Sequence, residues 1–194
     1  LISSILVVLI SQVLILFIFY FVLGIDYNYF MNEINNFLNQ TTEFSQLKEV
    51  ISIQLQVIKK IFPSLIIISA VMMGIIHYYL SLWYLKRKDF DFEVFLPIRY
   101  WHFPRWIISM GLIVTLFFKY NPVFNNINVL LFFICFLQGF AVGLYYISQR
   151  DGSNLLKILY IISIFIIPLL PFALIMVGLV DMWFNLRNIS EKSG

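Results

Sequence analysis

The chain has 194 residues, 61% of them hydrophobic and only 12% charged, with a formal net charge of +3 and a mean hydropathy of +0.91. A soluble domain carries about a quarter of its residues charged. This composition therefore excludes an ordinary soluble fold and predicts an all-α polytopic membrane bundle, whose lipid-facing surface is itself apolar.

The charge is too small and too dispersed for a nucleic-acid partner, and the single Cys135 excludes an internal disulfide and a multi-Cys metal site. The chain opens on Leu1 and enters an apolar run at once. Without a basic n-region or a small-residue cleavage site this does not read as a signal peptide. The expectation is a single membrane domain, 1–194, forming the C-terminal part of a longer protein.

A helical span needs about 20 apolar residues. In chain order, about five runs suggest themselves: 1–25, 61–85, 104–119, 128–148 and 155–184. Pro63 falls in the first turn of the second run, where a missing N–H costs least. The third run is short. The fifth carries Pro168 and Pro171 and would be ~45 Å long as one helix. It reads as one tilted, kinked span, or as two half-length pieces folded at Leu169–Leu170. The single kinked helix is preferred, because a turn in lipid would leave backbone groups unpaired.

Residues 26–60 form a connection with an Asn-rich stretch, 28–39, followed by an amphipathic pattern. Phe44, Leu47, Val50, Ile51, Leu55 and Ile58 fall close to one helical face, which predicts a helix on the membrane surface or over the bundle. Basic residues set the orientation. Lys86, Arg87, Lys88, Arg99 and Arg105 cluster between spans two and three, and Arg150 and Lys157 lie between four and five. Both connections are expected in the cytoplasm and 26–60 outside. The side of the C-terminus stays open.

Polar residues on spans carry the most information, since burying them in lipid is costly. Ala70, Gly74, His77 and Ser81 make one stripe on span two. It is either a close seam, with Gly74 admitting a neighbouring backbone and His77 bonding across, or it places His77 at a ligand. On span four, Gly139 and Gly143 have packing-motif spacing, and Gln138 beside them needs an interhelical hydrogen bond or a ligand. Asp181 lies near the end of span five, expected near the interface as an anchor or in a transport pathway. Arg187 is six positions on, about 240° around a helix, so a partner from another span is expected for the carboxylate. The segment 92–106 contains Pro97, Pro104, Arg99, Trp101, His102, Arg105 and Trp106. It reads as interfacial anchoring, or as a contact for lipid phosphates or an acidic partner.

No phosphate-binding loop, HExxH or nucleophile elbow is present. Two His and one Cys do not predict a zinc site. No catalytic residue, metal or cofactor is therefore expected, and the chain reads as non-enzymatic.

Three groups of residues resemble the YybS-like family of uncharacterised bacterial membrane proteins, found mainly in Firmicutes. They are Phe92, Phe95 and Pro97 followed by Pro104 and Trp106; Asn128 with Gln138-Gly139; and Gly178-Leu179 with Asp181 and Arg187. The resemblance covers roughly 92–187. It implies a multi-pass protein of the bacterial cytoplasmic membrane with further N-terminal spans. It also implies a fold similar to the S components of energy-coupling-factor transporters, although the AxxxA docking motif of many S components is not evident. The expected function is a subunit that binds a small molecule or lipid, with His77, Gln138 and Asp181 as ligand candidates. The alternative is a scaffold docking envelope or signalling partners through Arg99, Trp101, His102, Arg105 and Trp106. The expected partners are membrane lipids, other membrane subunits or the missing N-terminal spans.

Overall fold

The computed structural model describes residues 2–17, 29, 32–33, 36, 48–88, 97–117, 122–150 and 153–189. Among them the structure is all-helical, with six α-helices and one 3₁₀ turn. Most of the Asn-rich stretch, residues 89–96 and the last five residues lie outside the described residues. The chain divides into two compact units, 1–91 and 92–194.

The first unit pairs α1 (Ile2–Phe17) with α2 (Lys48–Lys86). Ala70 and Gly74 of α2 are buried, and a side chain at Gly74 would run into the backbone of Ile5. That half of the small-residue stripe is a helix seam. A polar clasp strengthens it: Gln12 Nε2 donates to Ser69 Oγ at 3.0 Å, and Ser69 Oγ lies 2.8 Å from the Ile66 carbonyl. Between apolar helices such a pair has no water to compete with it.

The expected surface helix is not a separate element. Lys48 to Lys86 is one helix of 39 residues with Pro63 in its interior, about 58 Å long at the usual rise. A proline inside an apolar helix is tolerated where neighbouring groups satisfy the freed backbone. The carbonyl that loses its usual amide donor is four residues before Pro63, at Lys59, whereas the Ser64 hydroxyl donates to the Ile61 carbonyl at 2.6 Å.

The second unit is built on α4 (Pro122–Gln149). It is flanked by the 3₁₀ turn Ile98–Tyr100, α3 (Arg105–Phe117), α5 (Asn154–Ile166) and α6 (Leu170–Phe184). A small core forms where Ile108, Cys135 and Met182 meet, with Phe103, Ile134, Ile175 and Leu179 around them. Helices α4 and α6 approach through facing glycines. A Cβ on Gly139 would collide with the Leu174 carbonyl, and one on Gly178 with the Cys135 carbonyl. Gly143 instead faces the Tyr160 ring of α5, which stacks on Phe140 at 5.6 Å.

The single kinked helix expected over 155–184 is replaced by α5 and α6, bent by 114°. Pro168 drives its predecessor Ile167 out of the helical region, to φ −100 and ψ 102. Part of the donor loss at this break is avoided. Pro168 and Pro171 have no N–H to satisfy, and the Leu170 amide closes onto the Ile167 carbonyl at 3.0 Å. Pro171 then sits in the first turn of α6, where its missing amide is harmless.

Residues 18–25 and 118–119 of the first and third expected runs lie outside the described residues. Among the described residues two helices, Val50–Lys86 and Phe124–Gln149, are long and apolar enough to cross a membrane, or three if the bent pair is one broken span. The described part of α1 has 16 residues and that of α3 has 13. Many large apolar side chains on these helices point outward, Phe165 at 82% exposure among them, as expected of a surface solvated by lipid.

The glycine seam yields a ranking. Gly139→Ala and Gly178→Ala each force backbone apart and are expected to cost about 1–3 kcal/mol. Gly143→Ala, which meets only the end of a side chain, should cost less. Thermal unfolding of the three variants in one detergent tests the order; equal losses would show that the seam can relax.

A buried carboxylate–guanidinium network

Asp181 and Gln138 are fully buried, and Arg187 is 3% exposed. An isolated ion at such a depth would be strongly disfavoured, and the local chain geometry supplies its counter-ion. Helix α6 ends at Phe184, and Asn185 takes a left-handed conformation with φ 46, which Asn tolerates better than most residues. The Asn185 side chain then ties down the chain that follows. Its Nδ2 donates to the Ile189 carbonyl at 2.9 Å, and its Oδ1 accepts from the Ile189 amide at 3.1 Å.

This reversal folds Arg187 back onto α6. Its Nη2 lies 2.8 Å and its Nε 3.2 Å from Asp181 Oδ2. The expectation that the two do not face each other is therefore corrected: helical spacing stops applying once the helix ends. The guanidinium also donates to the carbonyls of Arg99 and Trp101, each at 2.7 Å. It thus pins the 3₁₀ segment to the end of α6.

Helix α4 contributes from the other side. Gln138 Nε2 donates to Asp181 Oδ2 at 2.5 Å, and Gln138 Oε1 accepts from the Phe103 amide at 3.0 Å. The Phe103 bond fixes which end of the amide is the donor. Gln138 Nε2 also lies 3.0 Å from His102 Nδ1, so that nitrogen must accept. His102 is then neutral, with its proton on Nε2. Asp181 is left lopsided: Oδ2 accepts from Gln138 and twice from Arg187, whereas Oδ1 is buried with no partner among the described residues.

The structure thus brings together Gln138, Asp181 and His102, with backbone groups of Arg99, Trp101 and Phe103. Arg187 was set aside by helical spacing, and the Asn185 preceding it was the signal of a chain reversal. Arg105 and Trp106 remain outside the network, Trp106 at 61% exposure. The Arg99 guanidinium lies 4.8 Å over the Tyr100 ring. His77 belongs to the other unit, is exposed, and makes no hydrogen bond among the described residues. Asp181 is enclosed by protein. Among the described residues no group of three His, Cys, Asp or Glu side chains could hold a metal.

The family described as "Predicted membrane protein (DUF2232)" matches residues 1–182. The chain belongs to this family. It is also similar to the "Uncharacterized protein YybS" of Bacillus subtilis (strain 168), at 23% identity over 155 residues, covering 75% of this chain and 50% of that protein. The chain spans about half the length of this curated relative. No solved structure matches. Residues Gln138, His102 and Asp181 all lie within the family match, and Arg187 lies beyond its last residue.

Two outcomes follow from the network. Breaking a buried ion pair from one side costs about 3–5 kcal/mol, so Asp181→Leu and Arg187→Met should each be severely destabilising. The double variant should lose clearly less than their sum, as read from thermal unfolding. Separately, nitrogen-15 NMR of labelled histidine should give the His102 ring as the neutral Nε2–H tautomer. A proton on Nδ1 would contradict the hydrogen-bond assignment.

Proposed function

We propose that this integral membrane protein is a non-enzymatic subunit of the bacterial cytoplasmic membrane that binds a small molecule or lipid. The analogy is with S components of energy-coupling-factor transporters. The observation that supports this reading is the lopsided Asp181. A buried carboxylate oxygen without a donor is costly, and proteins rarely carry such a group without a use for it. Gln138 and Arg187 hold the other oxygen, with His102 in turn accepting from Gln138, and so aim the carboxylate. A ligand donor at Oδ1 would complete the hydrogen-bonding set.

A second reading, docking of a partner or anionic lipid, draws on Arg105 and Trp106, which stay exposed at the start of α3. Cation and indole side by side suit a headgroup region.

Native mass spectrometry of the full-length protein purified from its own membrane separates these readings. Binding predicts a stoichiometric small-molecule adduct that is lost in Asp181→Asn and kept in Arg105→Glu. A lipid or protein adduct lost only in Arg105→Glu supports docking. An adduct-free protein in mild detergent and in nanodiscs alike would remove the binding reading.

A further inference from the structure

We infer that the pocket filled by Arg187 is a receptor for a cationic group of the guanidinium class, and that the segment Asn185–Ile189 after α6 supplies its resident occupant. The inference rests on the small-molecule reading above and narrows the ligand to an organic cation with a planar N–H fork.

The acceptor set carries the argument. One carboxylate oxygen and the carbonyls of Arg99 and Trp101 converge on the guanidinium at 2.7–3.2 Å. All of these groups are acceptors facing one cation, and no second cation contacts Asp181 among the described residues. Carbonyls offered this way by a 3₁₀ turn and the extended residue after it form a site for a donor-rich cation whichever molecule supplies it. The set also exceeds what the tail uses. Arg187 meets Asp181 through Oδ2 alone, and Oδ1 is buried without a partner among the described residues. A guanidinium free of a tether can turn and engage both oxygens as a fork.

The attachment of the occupant is the second observation. Arg187 does not lie on a helix. It sits on the short tail after α6, held by the Asn185–Ile189 clasp and by Tyr146 Oη donating to the Leu186 carbonyl at 3.0 Å. Asn185 and Asn188 both have positive φ. Withdrawing the tail requires no helix to unwind and no apolar core residue to move. The tethered side chain competes with free cations through its high local concentration, so the intact chain should bind them more weakly than a chain lacking Arg187.

The test uses methylguanidinium chloride, with sodium chloride at equal ionic strength as the control. In the full chain carrying Arg187→Ala, methylguanidinium should raise Tm saturably, by roughly 5–10 °C at a hundredfold excess over Kd. The rise should vanish when Asp181→Asn is added. Folding of that variant is not assumed. In an otherwise intact chain, a spin label at Leu186→Cys should shift from immobile to mobile as methylguanidinium is added, and sodium chloride should have no effect. A label that stays immobile throughout overturns the inference, as does a response equalled by sodium chloride or unchanged by Asp181→Asn. A neutral or anionic adduct in native mass spectrometry overturns this inference while leaving the small-molecule reading intact. An adduct-free protein removes that reading without bearing on whether the pocket accepts methylguanidinium.

Discussion

Asp181 is an acidic side chain fully buried among the apolar helices of the second unit, and no ion remains charged there without compensation. The compensation comes from three separate parts of the chain. The tail supplies a guanidinium, α4 supplies an amide, and the segment before α3 supplies the carbonyls that satisfy the rest of the guanidinium. Each contribution is useful only if the other two are in place. The carboxylate therefore acts as a register mark, fixing where the non-helical stretches at both ends of the second unit lie. Pro97, Pro104 and Asn185 interrupt helix there, and the ion pair joins the two segments, which Gln138, Tyr146 and the Asn185–Ile189 clasp hold one by one.

That arrangement depends on how closely two helices can approach. Gln138 and Asp181 meet because α4 and α6 are separated at Gly139 and Gly178 by nothing bulkier than backbone. Lipid offers no hydrophobic drive for helices to associate, so contact area and polar bonds must do it. The glycines allow the contact and the glutamine makes it specific. The first unit applies the same pairing of devices, with Gly74 set against Ile5 and Gln12 bonded to Ser69.

How much of this was legible beforehand depended on the physics behind each feature. Helical class followed from long apolar runs, which in lipid leave few other options. Gln138 and Asp181 stood out because polar atoms in such runs are costly wherever they end up. Placing the two together required the mutual rotation of α4 and α6, which no single-helix pattern contains. Arg187 was misjudged because angular spacing was carried past Phe184, beyond the last residue to which it applies. His77 shares its polarity and stripe with residues that are buried, yet it is exposed. A stripe records which residues share a face but not how far along that face the neighbouring helix reaches.

Proline shows the same division. Pro63 was expected at a helix start and lies deep inside α2, whereas Pro168 and Pro171, expected to kink one helix, separate two. A lone proline removes one hydrogen bond, and surrounding helix can absorb that loss. Two prolines three residues apart remove neighbouring donors and push Ile167 into extended backbone. The sequence by itself determined the solvent, the helical class, and the polar residues whose burial would need an account, because these follow from transfer free energies and local sterics. Only the tertiary structure decided that Asp181 is answered by Arg187, Gln138 and the carbonyls of Arg99 and Trp101. That choice rests on a left-handed turn and a glycine seam acting together, and the energy of burying a charge depends on every group that surrounds it.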